Sequence, residues 1–501
     1  MVASIAYPRG ARRRFMALLA AVMLTVPLLV VARGVTSAAS CTSPTFGPAT
    51  AVAAAAGTIA VADYDVDGTP DVIVGSQLRY GDGAGGFVAP QTVLNVRAIS
   101  AVDLGGVTPP IGINNAAPEL LAESTFAPGR AVVGLGSGNR GAPFSGLAGF
   151  PVFTAPDGTP SPVLAGVTAD LTGDGIPDLA YSQGTGTSKV FIWVGETMTP
   201  NWQSEVAPIE LDIADANAIV AGDFDDDGVA ELVVASTSGN ALVVINHDPG
   251  GFLQKGVTVA GGPQGLAAAD VNGDGFLDAV VTTASGNLVT LRGTGESLRT
   301  NPSGSNPPVI GDPFGSPTTL AIGGDLRGIV VTDATGDQRF DAAVADRTGQ
   351  RVVVVIGNGS GAFSSPTAFA TGSAAPTSVA LADLDHDGAL DLISGDVTDS
   401  KFVTRHNGCT ATPVDLEVTG VEVTQAIQDL ANSVPLIADR RTVVRVHVRA
   451  GIPVDGVTAR LARTDSNGTV IDRPLWPDNA NGRITVKASP DRTRLGDSFQ
   501  F

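Results

Sequence analysis

The chain has 501 residues, of which 43% are apolar, and it carries a formal net charge of −20 at pH 7. This charge argues against nucleic acid as a partner, because binding to phosphates requires a basic surface. The 62 glycines and the aromatic content of only 5% favour many short strands with tight turns over long helices.

Residues 1–39 predict a signal peptide. The basic residues come first, and they are Arg9, Arg12, Arg13 and Arg14. An apolar run over 15–31 follows, and then a small-residue cleavage site at 37–39. The alternative is an uncleaved membrane anchor, for which this run is marginal in length. We expect a secreted or cell-surface protein with no stable membrane span after cleavage, exported by the general or the twin-arginine route.

A nine-residue acidic stretch recurs six times along the chain. The copies are DYDVDGTPD at 63, DLTGDGIPD at 170, DFDDDGVAE at 223, DVNGDGFLD at 270, DATGDQRFD at 333 and DLDHDGALD at 383. Apolar runs of four or five residues follow, which is typical of short strands. A degenerate seventh copy begins near Asp103 and continues into PELLAES. Repeats of this length with several short strands predict an all-β fold, a seven-bladed β-propeller over residues 41–410.

Oxygen-bearing side chains occupy positions 1, 3, 5 and 9 of each acidic stretch. They are Asp63, Asp65, Asp67, Asp71; Asp170, Thr172, Asp174, Asp178; Asp223, Asp225, Asp227, Glu231; Asp270, Asn272, Asp274, Asp278; Asp333, Thr335, Asp337, Asp341; and Asp383, Asp385, Asp387, Asp391. Ca²⁺ takes about six to eight oxygen ligands, and a glycine at position 6 permits the tight turn around an ion.

The pattern therefore predicts about five or six calcium ions. Gln338 replaces the glycine in the copy at 333, which makes that loop the weakest match, and the copy at Asp103 is expected to bind no ion. The alternative is that each Asp-Gly pair only forms a hairpin turn, but this does not account for the acids at positions 1, 3 and 9.

These units resemble the FG-GAP/VCBS repeats of extracellular proteins, which build the calcium-binding propeller of integrin α subunits. The resemblance covers roughly residues 45–405 and rests on the DxDxDGxxD motif. It implies a β-propeller in which calcium in hairpin loops on one face braces the blades. Other loops then recognise the ligand.

Cys41 and Cys409, which are the two cysteines of the chain, flank the repeats. A propeller closes its ring by joining its ends, and an exported protein meets oxidising conditions. We expect a Cys41–Cys409 disulfide that fastens this closure. Two free thiols are the alternative.

Residues 413–501 lack the repeat. Alternating runs over 416–428 and 440–450 predict strands, and the segment resembles the start of an Ig-like β-sandwich of secreted bacterial proteins. The sequence stops at DSFQF without an evident closing strand, which suggests a fragment of a longer protein.

The sequence offers no evident catalytic centre. Its four histidines, His247, His386, His406 and His447, lie outside any HExxH motif and are expected to be structural or solvated. The segment GSGNRG at 136–141 precedes Ala142-Pro143 and is interpreted as a loop and not as a nucleotide-binding turn. Paired acids would also suit a glycosidase, but their regular repetition favours a scaffold.

The function predicted from the sequence is non-catalytic binding or adhesion to an extracellular protein or glycan. The alternatives are a polysaccharide-active or lectin-like propeller, and a structural stalk for a missing C-terminal domain, possibly a protease. The insertions at 104–118, 140–162 and 295–318 are candidate ligand-binding loops. Trp193 and Trp202 are candidates for stacking on sugars, although a core or rim position is the favoured interpretation.

Overall fold

The structure is a computed structural model of the chain. It describes residues 29–33, 37–38, 41, 44–92, 96–102, 118–127, 129–137, 140–150, 160–174, 176–186, 188–195, 208–248, 251–296, 299–300, 309–337, 339–409, 411–412, 416–424, 443–451, 454–462, 484–492 and 494–500. These residues form two compact units, one over Thr36–Pro413 and one that combines Met1–Val35 with Val414–Phe501.

The larger unit is built almost entirely of antiparallel strands. Strands β1 to β3 are Leu29–Arg33, Ser37–Ala38 and Thr50–Ala53, of which β1 belongs to the smaller unit. Strands β4 to β15 are Ile59–Ala62, Asp71–Val74, Gln77–Arg79, Gln91–Thr92, Val96–Val102, Glu119–Ser124, Ala131–Gly136, Phe144–Gly149, Val163–Ala169, Asp178–Gln183, Lys189–Trp193 and Ile209–Asp212. Strands β16 to β25 are Ala216–Gly222, Glu231–Ser236, Ala241–Asp248, Gly251–Thr258, Pro263–Ala269, Asp278–Thr283, Asn287–Leu291, Arg299–Thr300, Val309–Ile310 and Thr318–Ala321. Strands β26 to β33 are Leu326–Thr332, Asp341–Asp346, Arg351–Gly357, Phe363–Ala370, Pro376–Ala382, Asp391–Asp396, Lys401–Arg405 and Ala411–Thr412.

These strands form seven four-stranded sheets among the described residues. Sheets 1 to 4 take four consecutive strands each, from β4 to β19, and sheet 5 consists of β20, β21, β22 and β25. Sheet 6 consists of β26 to β29, and sheet 7 of β30, β31, β32 and β3. Strands β23 and β24 pair with each other, as do β2 and β33.

The sheets pack on one another through apolar clusters that join neighbours in a cycle. The second strand of each of sheets 3 to 7 is buried along all six of its residues, because both of its faces meet another sheet. The cycle closes where Val72 and Val74 of sheet 1 pack with Ile393 and Phe402 of sheet 7. A closed cycle of radially packed, four-stranded sheets is a β-propeller, so the predicted fold class is confirmed at this level.

The N-terminal strand β3 completes the last sheet. It pairs with β32 in antiparallel register, from Thr50 opposite Thr404 to Ala53 opposite Lys401. Near this junction a disulfide joins Cys41 to Cys409, with the two Cα atoms 6.1 Å apart. The disulfide predicted from the position of the cysteines is therefore present, and it links the chain before sheet 1 to the chain after sheet 7.

The smaller unit contains two three-stranded sheets with one shared core. One sheet consists of β34 (Leu416–Thr424), β35 (Val443–Ala450) and β38 (Ser498–Gln500), and the other of β1, β36 (Val454–Ala462) and β37 (Ile484–Val486). A 3₁₀ turn over Leu495–Asp497 precedes β38. The core includes Val446, Val457, Ile484 and Phe499.

Two features of this unit differ from what the sequence suggested. The final residues form β38, which pairs with β35, whereas the sequence showed no evident closing strand. Strand β1 lies within the predicted signal peptide and pairs with β36. Removal of residues 1–39 would therefore take this strand away. Among the described residues, no helix is long and apolar enough to cross a membrane.

Candidate metal centres

The six acidic stretches occupy one equivalent hairpin in six of the seven sheets. Each connects the first strand of its sheet to the second, as the stretch at 63–71 connects β4 to β5. The second sheet has its own hairpin between β8 and β9, and the segment that begins at Asp103 lies outside the described residues. Its predicted apolar run PELLAES is present as strand β9. The acidic stretches thus recur along the sequence because each four-stranded sheet repeats the same hairpin.

The carboxylate at position 1 shapes the turn by accepting amide hydrogen bonds. In the first loop Asp67 N donates to Asp63 Oδ1 at 3.0 Å, and Gly68 N donates to Asp63 Oδ2 at 2.8 Å. The loops at 223 and 270 repeat both bonds. These bonds orient the carboxylate within its own loop.

The acid at position 9 is buried at the start of the second strand. Asp71 accepts from Tyr64 N at 2.8 Å through one oxygen, and from Gly81 N at 2.9 Å through the other. The same two bonds anchor Asp178, Asp278, Asp341 and Asp391. Position 9 therefore links the loop to the neighbouring hairpin of the same sheet, which explains why an acid stands there.

Position 4 has a left-handed backbone, a constraint that the sequence analysis missed. In three loops this position is glycine, with φ of 73°, 75° and 74° at Gly173, Gly273 and Gly336. In the other three loops it is Val66, Asp226 or His386, with φ of 62°, 58° and 60°. Residues with a side chain are disfavoured here, and valine especially so. Glycine at position 6 also has positive φ, as at Gly68 and Gly388, which the sequence did predict.

The acids of three loops converge closely enough for one ion. Carboxylate oxygens lie within 4.8 Å of one another in three sets, which are Asp63, Asp65 and Asp71; Asp223, Asp225 and Glu231; and Asp383, Asp385 and Asp387. In the loops at 170, 270 and 333, position 3 is Thr172, Asn272 or Thr335. Thr335 is buried and its hydroxyl donates to Asp341 Oδ2 at 3.0 Å, so its loop is already internally bonded. Gln338 lies outside the described residues.

Several buried oxygens at the predicted ligand positions have no hydrogen-bond donor among the described residues. They are Thr172 Oγ1 at position 3, Glu231 Oε1 at position 9 and Asp383 Oδ1 at position 1. A buried acceptor without a partner is costly, because it loses its water without compensation. A hard cation among these oxygens would remove that penalty, so the donor set fits calcium better than it fits a simple turn.

Burial and crowding raise the pKa of the buried acids. Burial is the main cause, and the neighbouring carboxylates of the same loop add to it. The pKa rises to about 7 for Asp71, Asp178 and Asp341, and to about 6 for Asp223, Asp278 and Asp391. Glu231 has a pKa of about 9. These shifts mean that ionisation of the loop acids is unfavourable without a counter-cation.

The loop at 63 has a counter-cation supplied by a neighbouring sheet. Arg140, from the hairpin between β10 and β11 of sheet 2, contacts Asp65 and donates to Asp67 Oδ2 at 2.5 Å. Its guanidinium lies 5.1 Å from the ring centroid of Tyr80. The segment GSGNRG, interpreted as a loop from the sequence, thus reaches the acidic loop of the preceding sheet.

Three of the four histidines, and Trp193, take structural positions. His386 projects from position 4, and its Nε2 lies 3.2 Å from Thr69 Oγ1 of sheet 1. His247 packs against Phe252 with ring centroids 5.0 Å apart, and buried His447 lies 3.0 Å from Glu422 Oε2. Trp193 is buried and packs against Phe150, which agrees with a core position.

His406 is different, because its Nδ1 lies 3.3 Å from Asp391 Oδ2. No pattern in the sequence indicates this contact with a loop acid.

The remaining candidates fall partly outside the described part of the chain. Trp202, residues 104–117 of the first insertion and residues 151–159 of the insertion at 140–162 lie there, as do residues 297–298 and 301–308 of the insertion at 295–318. The rest of that last insertion includes the paired strands β23 and β24.

Comparison with protein families identifies FG-GAP-like repeats in this chain. The model of the FG-GAP-like repeat matches residues 170–234, 223–281 and 333–394, which contain five of the six acidic loops. The chain therefore combines FG-GAP-like repeats with a β-propeller fold. A comparison with curated proteins finds no significant match.

Solved structures resemble the chain at low sequence identity. A crystal structure of BBS1N in complex with ARL6DN is 12% identical with a TM-score of 0.49, and the match covers 74% of this chain and 98% of that one. The β-propeller domain of Myceliophteria thermophila Cps50 (Swd1) is 10% identical with a TM-score of 0.41, covering 72% and 99% of the two chains. Because these scores are below 0.5, our description of the fold rests on the strand pairing of this chain.

Proposed function

We propose that the protein is a secreted, calcium-stabilised propeller that acts as a non-catalytic binding or adhesion module for an extracellular protein or glycan. In this proposal the seven sheets are the seven blades of the ring. Residues 413–501 contribute a partial β-sandwich of the Ig-like kind, for which the two sheets around a shared core are the supporting observation.

One observation carries the calcium proposal. The same hairpin in six sheets holds oxygen ligands at positions 1, 3, 5 and 9, and buried oxygens at three of these loops have no donor. Side chains at these positions would hold the ion, and the ion would supply the positive charge that the loop lacks. The loop at 333 is the weakest candidate, because Thr335 and Asp341 already satisfy each other.

A scaffold role for the acids is supported by their repetition. Position 9 makes the same two amide bonds in five sheets, and an active site is normally built once in a domain. Secretion is supported by the disulfide between Cys41 and Cys409, because such bonds persist in oxidising compartments.

Calcium stoichiometry and thermal unfolding of the metal-stripped protein test the proposal. We expect five or six ions per chain, and a higher melting temperature in calcium than in chelator. A site occupied at 100 times its Kd contributes about 2.7 kcal/mol to the free energy of unfolding.

Single substitutions distinguish calcium binding at the acidic loops from a general effect of surface charge. Asp227 is the proposed ligand at position 5 of the loop at 223, and it accepts a hydrogen bond from Val229 N at 2.9 Å. Because Asp227→Ala removes this ligand, it should remove one ion and leave the others bound. Asp312→Asn, at an exposed acid outside the loops, is the matched control and should change nothing. Absence of both binding and stabilisation in the parent protein would refute the calcium proposal. Glycan and matrix-protein arrays on the loaded protein then test for a ligand.

A further inference from the structure

The acidic loop of sheet 7 has a neighbour that is chemically unlike any in the other loops. His406 follows β32, and its Nδ1 lies 3.3 Å from Asp391 Oδ2 and 3.7 Å from Asp385 Oδ2. One ligand atom from each of these three residues lies within 4.8 Å of the other two. An imidazole nitrogen thus shares one small space with two carboxylates of the loop.

The surrounding structure anchors Asp391 and the backbone of His406. Both oxygens of Asp391 accept backbone amides, from Leu384 at 3.2 Å and from Asn407 at 2.8 Å. The carbonyl of His406 accepts from Gly47 N at 2.8 Å, which fixes the backbone that carries the imidazole. The backbone on both sides of the proposed contact is therefore anchored.

Gly85 makes room for the imidazole ring. Its amide donates to Leu384 O at 3.0 Å, and its φ is 82°. A Cβ atom at this position would overlap the ring of His406. The neighbouring sheet 1 thus contributes a residue without a side chain where the ring of His406 lies.

In sheets 1, 3, 5 and 6, where the equivalent position is described, it carries no metal-binding nitrogen. This position immediately precedes the residue whose amide donates the second bond to the acid at position 9. In sheets 1, 3, 5 and 6 it is occupied by Tyr80, Val194, Arg292 and Ile356, respectively. The imidazole is therefore a property of one loop and not of the repeat.

We propose that Asp385, Asp391 and His406 form a mixed nitrogen–oxygen site for a first-row transition metal, with Zn²⁺ as the probe. Imidazole suits Zn²⁺, whereas Ca²⁺ selects oxygen ligands. Zinc bonds of about 2.0–2.1 Å in a tetrahedron place ligand atoms about 3.4 Å apart, close to the observed 3.3 and 3.7 Å. The exposed fractions of the side chains, 43% for His406 and 28% for Asp385, leave one side of the site open to water.

This inference rests on the proposal that the other loops bind calcium, so its test measures both metals. The metal-stripped protein is saturated with Ca²⁺, the number of bound ions is counted, and Zn²⁺ is then titrated by calorimetry. We expect one equivalent of Zn²⁺ to bind, with displacement of at most one Ca²⁺. Co²⁺ in place of Zn²⁺ should give the strong visible absorption bands of a tetrahedral site.

Two matched substitutions locate the zinc site. His406→Phe keeps a ring in the space beside Gly85 but removes the nitrogen. Loss of even an outer-shell partner costs about 10–100-fold in metal affinity, so loss of a direct ligand should cost at least that much. His386→Phe removes the other imidazole of the same loop, which faces Thr69, and should leave zinc affinity unchanged.

The outcomes distinguish the two proposals. Calcium binding without zinc binding, or equal zinc affinity in His406→Phe, would overturn the mixed site and reduce the contact to an ordinary ion pair, while the calcium proposal would stand. Zinc binding that depends on His406, without any calcium binding, would support the mixed site and overturn the calcium proposal. Binding of neither metal would overturn both.

Discussion

Arg140 donates a hydrogen bond to Asp67 across 73 residues of sequence, so that a side chain of sheet 2 neutralises the acidic loop of sheet 1. Burial alone would raise the pKa of Asp67, but bonds from Thr69 and Arg140 outweigh it and hold the pKa below the usual value. The guanidinium contacts oxygens of Asp65 and Asp67 that a bound cation would also need.

Arg140→Met should therefore raise the calcium affinity of the first loop. The substitution keeps an unbranched side chain near Tyr80 and removes a positive charge from Asp65 and Asp67. Calorimetric titration should show one class of site that tightens while the others stay constant. Arg347→Met is the control, because Arg347 lies near Asp325 outside the acidic loops. Unchanged or weaker binding in Arg140→Met would contradict the competition.

Glu231→Gln should separate calcium binding from folding. The pKa of Glu231 is about 9 because of its burial, so the side chain is mostly neutral at pH 7 without metal. We expect nearly the same melting temperature as the parent in chelator, and a smaller rise in calcium with one ion fewer. Glu210→Gln, at a half-exposed acid beside Lys189, should behave as the parent does in both buffers. A large loss of stability in chelator would show that the charge is needed for folding itself.

The stability of the calcium-free protein should fall as the pH rises from about 4 to 7. The pKa of Asp71, Asp178 and Asp341 is raised to about 7 in the folded chain, against about 3.9 for an unfolded aspartate. The native state then binds more protons than the unfolded state in this window, so the free energy of unfolding decreases with pH. Denaturant titrations in chelator at several pH values measure the slope. Saturating calcium should flatten or reverse it, and a slope that calcium leaves unchanged would argue against binding at these acids.

Replacing both cysteines should destabilise the propeller without changing its metal sites. The disulfide joins residues 368 apart, and the chain-entropy model gives an upper limit of about 5–6 kcal/mol for so long a loop. We expect Cys41→Ser/Cys409→Ser to unfold at lower temperature than the oxidised parent, and the reduced parent to match the variant. Equal melting temperatures of the oxidised parent and the variant would mean that β3 alone closes the ring.

The sequence predicted those parts of the fold that repeat or follow from composition. The acidic loops at 63, 170, 223, 270, 333 and 383 lie in equivalent hairpins, and the apolar runs after them are buried strands. The pairing of Cys41 with Cys409 followed from the need to close a ring, and the structure contains it. Glycine at position 6 also identified a left-handed turn before the structure was known.

Other parts of the site had a weak local signal or none. Position 4 needs positive φ and is glycine in three loops, but Val66, Asp226 and His386 in the other three break this pattern. The contacts of Arg140 with loop 63–71 and of His406 with loop 383–391 depend on how strands pair and sheets pack, which spacing along the chain does not encode. Strand β38 is only three residues long and gives too short a pattern to recognise.

The closure of the ring also determines how the molecule bears tension. A pull applied to the chain outside Cys41 and Cys409 passes through one covalent bridge and bypasses every sheet between them. While the disulfide is intact, the 368 residues between its ends contribute almost nothing to extension. After reduction, the same pull would reach β3 first, and complete unravelling would release roughly 1,200–1,300 Å of chain. The propeller is thus mechanically inextensible in its oxidised form and becomes a long extensible element when reduced.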